Sequence, residues 1–477
     1  MQFVIPLPRD NEPLFRRVYR GLREAILRGA FVPGEKLPST RDLAEQLGVS
    51  RTVSLMAYEQ LLAEGFATGR AGSGTYASTA VVNHLQDASR RSPKIPLSQF
   101  GAAAAAAGRK LHLPSRAPRP RAYDFAFGVS DLETFPFQAW RRILQRCARK
   151  TRVAELDYAS ASGSPALRHA VCMHLRRARA VACDPEQVVI VNGSQQALDL
   201  IGRVLLDRGD AVVIEDPCYQ GTREVLRVAG ARLYPGAVDD EGLNPALLPK
   251  RARIAFVTPS HQFPTGAILP LARRLALIEW AQRAGALIVE DDYDGEFFYR
   301  GQPIESLQGL DRNGRVIYVG TFSRTVFSAL RIGYLIAPKD LVATFTAAKW
   351  LCDRHTAVLE QETLAEFISS GLYERYLRRV RRRNAKRRQA LLEAVDRHLG
   401  DRVKVSGSDA GAHVVLWPKR RISEKQVVAN ALKRGVLIYG LAPYHLGKSS
   451  RPGLLLGYSR LSEREIAEGI RRLAEIL

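Results

Sequence analysis

From Tyr123 onward the chain alternates short β-branched runs with amphipathic helical stretches, and this alternation constrains the fold more than any other feature. The runs Val188–Val191, Ala211–Ile214, Ile254–Val257, Ala286–Val289 and Val316–Val319 are almost wholly apolar. Strands buried on both faces read as unbroken apolar runs, and parallel neighbours need a crossover helix between them. The pattern predicts a mainly parallel sheet covered by helices on both faces. No internal repeat is visible.

A different grammar governs residues 10 to 78. Leu14, Val18, Leu22, Ala25 and Ile26 mark one face of a helix ending near Gly29. After the Pro33-Gly34 break, Ser39 with Asp42 gives a capping-box-like start to a second helix, Thr40 to Leu47. Gly48-Val49-Ser50 forms a tight turn, and a third helix runs from Arg51 to Glu64. Phe66-Ala67-Thr68 and Thr75-Tyr76 flank a glycine-rich tip and read as a β-hairpin. Helix, short turn, helix and hairpin make a winged helix-turn-helix, whose recognition helix enters the major groove by its N-terminal residues. Residues 79 to 121 separate the two zones. Their Ser, Pro and Arg content reads as a linker, helical over the alanine run Gly101 to Gly108 and extended at Pro114, Pro118 and Pro120.

Several motifs in residues 122 to 477 converge on one kind of ligand. Asn192-Gly193-Ser194-Gln195 follows a strand and opens a helix, where free backbone N–H groups suit a phosphate. Asp216-Pro217-Cys218-Tyr219 places an aromatic ring after a second strand. Glu290-Asp291-Asp292-Tyr293 ends another, with Asp291 and Tyr293 expected on one side of it. A carboxylate buried there needs a partner, and a protonated pyridine nitrogen is one. Ser323-Arg324 follows the next strand, with Arg331 seven residues on.

In order and context these motifs resemble the class I aminotransferases of fold-type I, which use pyridoxal 5′-phosphate (PLP). The string PGEKLPSTRDLAEQLGVSRTVSLMAYEQLLAEGF…GSGTY resembles the GntR-type winged helix. Together they resemble the MocR/PdxR-like branch of GntR regulators. The resemblance implies a multidomain chain: an α+β winged helix, a linker, and an α/β aminotransferase-like domain with a small C-terminal α+β subdomain. It implies that Ser194, Gln195, Ser323 and Arg331 hold a phosphate, Tyr219 stacks on the ring, Asp291 meets the pyridine nitrogen and Tyr293 the 3′-oxygen. Arg451 is the candidate for an effector carboxylate, and His261 is read as a structural turn histidine. Arg41, Arg51, Thr52 and Gly74 are expected at a double-stranded DNA operator. One departure lies in Val53-Ser54-Leu55-Met56, where relatives carry Thr-Val-Val-Arg, so Met56 removes a charge.

The central departure is Arg324, which stands where those enzymes place the lysine that forms the Schiff base. Arginine stays protonated in proteins and is a poor imine nucleophile. Its planar fork of donors is nonetheless suited to a phosphate or carboxylate. The leading expectation is a regulator that binds PLP, a related form or an amino-acid adduct non-covalently, with no catalytic residue and no transamination. A working aminotransferase would need another lysine, Lys339 or Lys349 being nearest downstream. A third reading is a cofactor-free dimerisation scaffold. Tyr376 and Asn384 also depart from the resemblance, within the basic helix Arg375 to Arg388, whose charges are read first as a solvated face and second as a DNA contact.

Charge agrees with a polyanionic partner. The net formal charge is +23, and residues 1 to 121 hold 18 Lys and Arg against 9 Asp and Glu. The five cysteines lack metal-ligand spacing, so reduced thiols are expected. No apolar run reaches bilayer-spanning length and no signal-peptide pattern opens the chain. A cytoplasmic homodimer acting without a membrane is the expectation, since two heads on two half-sites multiply affinity.

Overall fold

The computed structural model describes residues 12–80, 95–109, 123–150, 157–299, 305–447 and 451–477. The chain divides into two compact units, Met1–Leu97 and Ser98–Leu477.

In the first unit, helices α1 (Leu14–Leu27), α2 (Thr40–Leu47) and α3 (Arg51–Ala63) precede the hairpin β1 (Ala67–Arg70) and β2 (Gly74–Ala77). Ser39 Oγ accepts from the Asp42 N–H at the start of α2, and Gly48 ends that helix in the left-handed region at φ 64°. Ser50 caps α3 in the same way through the Val53 N–H. Val18, Leu22, Ile26, Leu43, Ala57 and Leu61 form the core, and the Tyr58 hydroxyl donates to the Pro38 carbonyl (2.7 Å), tying α3 to the entry of α2.

The second unit is built on an eight-stranded sheet. Its strands are β4 (Val188–Val191), β5 (Ala211–Asp216), β6 (Arg232–Asp239), β7 (Gly242–Leu243), β8 (Ile254–Val257), β9 (Leu287–Asp291), β10 (Val316–Thr321) and β11 (Gly333–Ile336). A short β3 (Tyr123–Asp124) precedes them in the chain. The sheet order is β4-β11-β10-β9-β8-β5-β6-β7. Strands β10, β9, β8, β5 and β6 are parallel, whereas β11 is antiparallel to both its neighbours and β7 to β6. All five apolar runs are strands; β6, β7 and β11 are additional. Because β11 reverses direction between β10 and β4, the carboxyl ends of β4, β5, β8, β9 and β10 share one edge. Arg331, just before β11, falls at that same edge.

The chain ends in a smaller layer. Four antiparallel strands, β12 (Val403–Ser406), β13 (His413–Pro418), β15 (Tyr439–Gly440) and β16 (Leu454–Gly457), pack in the order β12-β13-β16-β15, while β14 (Val436–Leu437) pairs with β3. Leu391, Val395, Val414, Leu416, Leu456, Ile466 and Ile470 form its core with the helices Leu372–Leu399 and Glu463–Ala474.

The alanine run is a helix, Gln99–Gly108, and it belongs to the second unit. It packs on the helix Gln220–Val228, with Arg208 Nη1 donating to Gln99 Oε1 (2.6 Å). Pro114, Pro118 and Pro120 lie outside the described residues. The basic helix departs from a purely solvated face. Arg387 is buried against Asp131 (2.8 Å) and Arg388 against the Ser408 carbonyl, so part of the charge run is internal structure. None of the five cysteines is in a disulfide, and among the described residues no helix is long and apolar enough to cross a membrane.

Candidate functional site

The shared carboxyl edge of the sheet gathers most of the residues singled out in the sequence. β4 ends at Val191, and after Asn192 the chain turns at Gly193 (φ 83°) into the helix Ser194–Leu205. Arg331, itself left-handed at φ 54°, donates from Nη2 to the Asn192 carbonyl (2.9 Å). A Cβ at Gly193 would lie 2.7 Å from that nitrogen, so the glycine makes room for the guanidinium. A helix N-terminus and an arginine thus meet around Ser194, an arrangement that favours a phosphate dianion. Gln195 reaches the Gly221 carbonyl (3.4 Å).

Tyr219 stands at the start of the helix Gln220–Val228, half-exposed, with its ring edge-on to Phe263 at 6.0 Å. Asp291 is the last residue of β9, so Tyr293 lies in the turn beyond and not on the strand. Both still face Arg324, whose charge acts on each. Burial and the neighbouring Asp292 carboxylate push the Asp291 carboxyl up to about 7, against the pull of Arg324. Asp291 Oδ1 is buried with no hydrogen-bond partner, as is Ser323 Oγ. The Tyr293 hydroxyl is within 3.1 Å of His261 Nδ1 and 3.0 Å of the His261 carbonyl. His261 also meets Asp294 at 3.0 Å, so this turn histidine supports the tyrosine.

Arg324 follows β10 and lines an enclosed pocket with Phe127, Gly128, Phe263, Tyr293, Asn384 and His413. A Cβ on Gly128 would fall 2.3 Å from Arg324 Nη1, so the guanidinium lies against bare backbone. Among the described residues its side chain has neither a hydrogen bond nor an ion pair. Lys339 is at the surface beside Asp184 (3.1 Å), and Lys349 is buried against Asp353 (2.5 Å); neither lines this pocket. Arg451 is elsewhere as well. It stacks over Trp417 (4.4 Å) in a separate open cleft with His445 and Lys404.

Sequence reasoning missed the layer beneath the site. Asp292 is buried in an ion pair with Arg179 (2.7 Å) and accepts from the Tyr318 hydroxyl, and this pairing holds its carboxyl below the ordinary range despite burial. Asp292 and Asp291 thus carry opposite shifts. Only the partner across the fold separates them, and no local sequence signal reveals that partner.

In the first unit Arg41, Arg51, Thr52 and Gly74 are all exposed. Lys36, not singled out in the sequence, bridges to Tyr76 through the backbone, and a Cβ at Gly74 would lie 2.8 Å from its Cε. Arg70 stacks over the Tyr76 ring (4.5 Å), so the hairpin carries two basic groups beside the glycine tip.

Residues 14–77 match the family of bacterial regulatory proteins, gntR family, and residues 124–473 match aminotransferase class I and II. The chain belongs to the MocR-like branch of the GntR family, in which a helix-turn-helix head is fused to an aminotransferase-type unit. That makes it a DNA-binding regulator by class. It is 37% identical to a probable rhizopine catabolism regulatory protein, MocR of Rhizobium meliloti, over 98% of this chain and 95% of that one. It is 36% identical to the HTH-type transcriptional regulator TauR of Rhodobacter capsulatus over 98% of both. Among solved structures, the α-aminoadipate aminotransferase LysN of Thermus thermophilus, complexed with N-(5′-phosphopyridoxyl)-L-leucine, superposes with a TM-score of 0.71 at 30% identity. The match covers 80% of this chain and 98% of that one.

Proposed function

We propose that this regulator senses a PLP-type ligand without covalent attachment and does not transaminate. The observation that carries the reading is the pairing of two opposite, unsatisfied groups in one site. Among the described residues Asp291 Oδ1 is buried without a hydrogen-bond partner, and the half-buried Arg324 guanidinium, whose charge acts on Asp291, makes no side-chain hydrogen bond. A buried acceptor left alone is costly, so Asp291 invites a donor, while the guanidinium fork suits an anionic or carbonyl group of the same ligand. Asp291 would accept from a protonated pyridine nitrogen, Tyr219 would cover the ring, and Tyr293 would meet the 3′-oxygen. Ser194, Gln195, Ser323 and Arg331 would hold the phosphate. Arg324 would donate to the aldehyde, amine-bearing or carboxylate end. When bound, PLP supplies an electron sink for chemistry on amino groups. Turnover also needs an amine to hold and release it, and among the described residues no lysine lines the pocket at Arg324.

Arg41, Arg51, Thr52 and the Gly74 tip are the residues proposed at operator DNA. We further propose a homodimer. Tyr158 (72% exposed), Trp350 (51%) and Leu351 (78%) expose apolar surface beyond what a monomer needs. Arg354 stacks over both Tyr158 (4.3 Å) and Trp350 (5.0 Å), joining them into one patch that a second copy would cover. We also propose that the ligand acts on the segment leading towards the head. The helices Ser194–Leu205 and Gln220–Val228 begin at the phosphate cradle and at Tyr219. The helix Gln99–Gly108, at the start of the second unit, touches both, through Arg203 over Phe100 (5.6 Å) and by direct packing. A ligand that prefers one setting of these two helices biases the linker.

Calorimetry with PLP and pyridoxamine phosphate tests the reading, followed by borohydride treatment. Binding without a reducible covalent adduct is expected, and Arg324→Lys should gain that adduct. A reducible adduct on the wild-type chain overturns the non-covalent claim; binding of neither form leaves the scaffold reading.

A further inference from the structure

The helix Leu372–Leu399 carries nine basic residues from Arg375 to Arg388 with no acidic residue among them. Four are spent on the fold. Arg381 donates to the Glu296 carbonyl (2.6 Å), Arg383 pairs with Glu133 (3.0 Å), Arg387 with Asp131 (2.8 Å), and Arg388 reaches the Ser408 carbonyl. The remaining five are Arg375, Arg378, Arg379, Arg382 and Lys386, and all are exposed. Among the described residues none of these five side chains has an ion pair or a hydrogen bond.

Their spacing is the decisive feature. At 3.6 residues per turn the five fall within a sector about 100° wide and about 16 Å long. Tyr373, Tyr376, Leu377, Val380 and Asn384 are buried and occupy the opposite side of the helix. The acids that reach this stretch are already engaged: Glu374 meets Arg177 (3.8 Å) and Arg381 (3.6 Å), and Glu133 and Asp131 meet Arg383 and Arg387. Like charges at i, i+3 and i, i+4 destabilise a helix, so the stripe works against the element that bears it. A merely solvated surface has both signs interspersed. This one has a single sign at phosphate-like density, since a DNA strand presents a phosphate roughly every 3.4 Å of axis.

We infer that this stripe is a second contact surface for duplex DNA, read through the phosphate backbone and independent of base sequence. The inference rests on the chain being a DNA-binding regulator, and it adds a surface on the aminotransferase-like unit to the winged helix. Such a contact lengthens the bound duplex beyond the half-sites and steers association by charge.

The test measures affinity of the full-length protein for a random-sequence duplex of about 60 bp, several turns longer than two adjacent half-sites, across a salt series. Each neutralised phosphate contributes about 0.9 to the slope of log affinity against log salt. The fourfold variant Arg375→Gln, Arg379→Gln, Arg382→Gln, Lys386→Gln should lower that slope by about 2 to 4. The threefold variant Arg375→Lys, Arg379→Lys, Arg382→Lys keeps the charge and should keep the slope. Melting temperature should hold or rise in the fourfold variant, because repulsion is relieved; the double variant Arg375→Gln, Arg379→Gln offers a smaller change read the same way. An unchanged slope in these variants overturns the inference and returns the stripe to a solvated face. Loss of binding to phosphatidylserine vesicles with the DNA slope intact overturns it in favour of a lipid surface. If the wild-type chain binds no duplex at all, the regulator reading itself falls with it.

Discussion

Replacing Asp291 by asparagine tests the site through stability as well as binding. The structure buries this carboxyl with Oδ1 unpartnered, next to the Asp292 carboxylate, and its pKa rises from an ordinary 3.8 to about 7. A rise of that size corresponds to about 4 kcal/mol. Below pH 4 the group is protonated in both folded and unfolded chains and carries no penalty. Between pH 4 and 7 the unfolded chain releases a proton that the folded chain keeps, so stability falls as pH rises. Above pH 7 both states are ionised and the penalty is complete. Asp291→Asn removes the charge at nearly constant volume. Urea unfolding of the ligand-free protein should therefore show the variant more stable by about 2–4 kcal/mol at pH 8, the lower figure allowing for water entering the site. At pH 4 the two should be nearly equal.

Ligand should reverse the order. A pyridinium pairs with the ionised carboxylate, so the wild type gains about 4.1 kcal/mol at a thousandfold excess over Kd, while the asparagine variant gains little. A variant no more stable than wild type at pH 8 refutes the reasoning. So does a stability difference that is the same at pH 4 and pH 8. Glu215, Glu290 and Glu296 are also pushed up by burial, to about 7, but they are common to both proteins and cancel in the comparison.

Three further outcomes are expected. Gly193→Ala puts a Cβ 2.7 Å from Arg331 Nη2 at a positive φ, so stability should drop by about 1 kcal/mol or more, and calorimetry should show weaker phosphate-ligand binding with the Asp291 pH response unchanged. Met56→Arg restores a charge on an exposed position of α3, and the salt slope for duplex DNA should steepen by about 0.9. Leu351→Asp places a charge in the exposed Tyr158–Trp350 patch, and analytical ultracentrifugation should show the dimer shifting to monomer at equal concentration.

Local grammar carried the head of this protein almost completely. The caps at Ser39 and Ser50, the left-handed Gly48 and the apolar face of α1 all act within a few residues, so sequence spacing determines them. The five central strands were legible for the same reason, as short apolar runs between helices. β11 was not, because an antiparallel insertion between β4 and β10 depends on pairing across the sheet. The carboxylates divide in the same way. Glu290, Asp291 and Asp292 are adjacent and chemically alike, yet Asp292 is held ionised by Arg179 while Asp291 is left unpaired. Only the position of Arg451 near the last strand was visible in the sequence; the cleft it lines is assembled from β6, the Thr265–Ile268 turn and β12, segments far apart in the chain.

Arg324 is best understood together with Asp291. In a working enzyme the lysine at this position alternates between bound and free states, so the site must tolerate a changing charge. A guanidinium removes that freedom: it keeps its proton throughout and cannot leave the pocket neutral. What remains is a fixed cation above Gly128 and a buried carboxyl whose ionisation is resisted by Asp292 and eased by that same cation. A ligand that carries a protonated ring nitrogen and an acceptor at the opposite end satisfies both at once; a ligand with only one of these leaves the other group unpaired. Discrimination of this kind, by the penalty of an unsatisfied buried group, can exceed what contact with a matching apolar surface provides. On the proposed reading, Arg324 forgoes turnover and the pocket tells one vitamer-like zwitterion from simpler anions, which is the property a sensor requires.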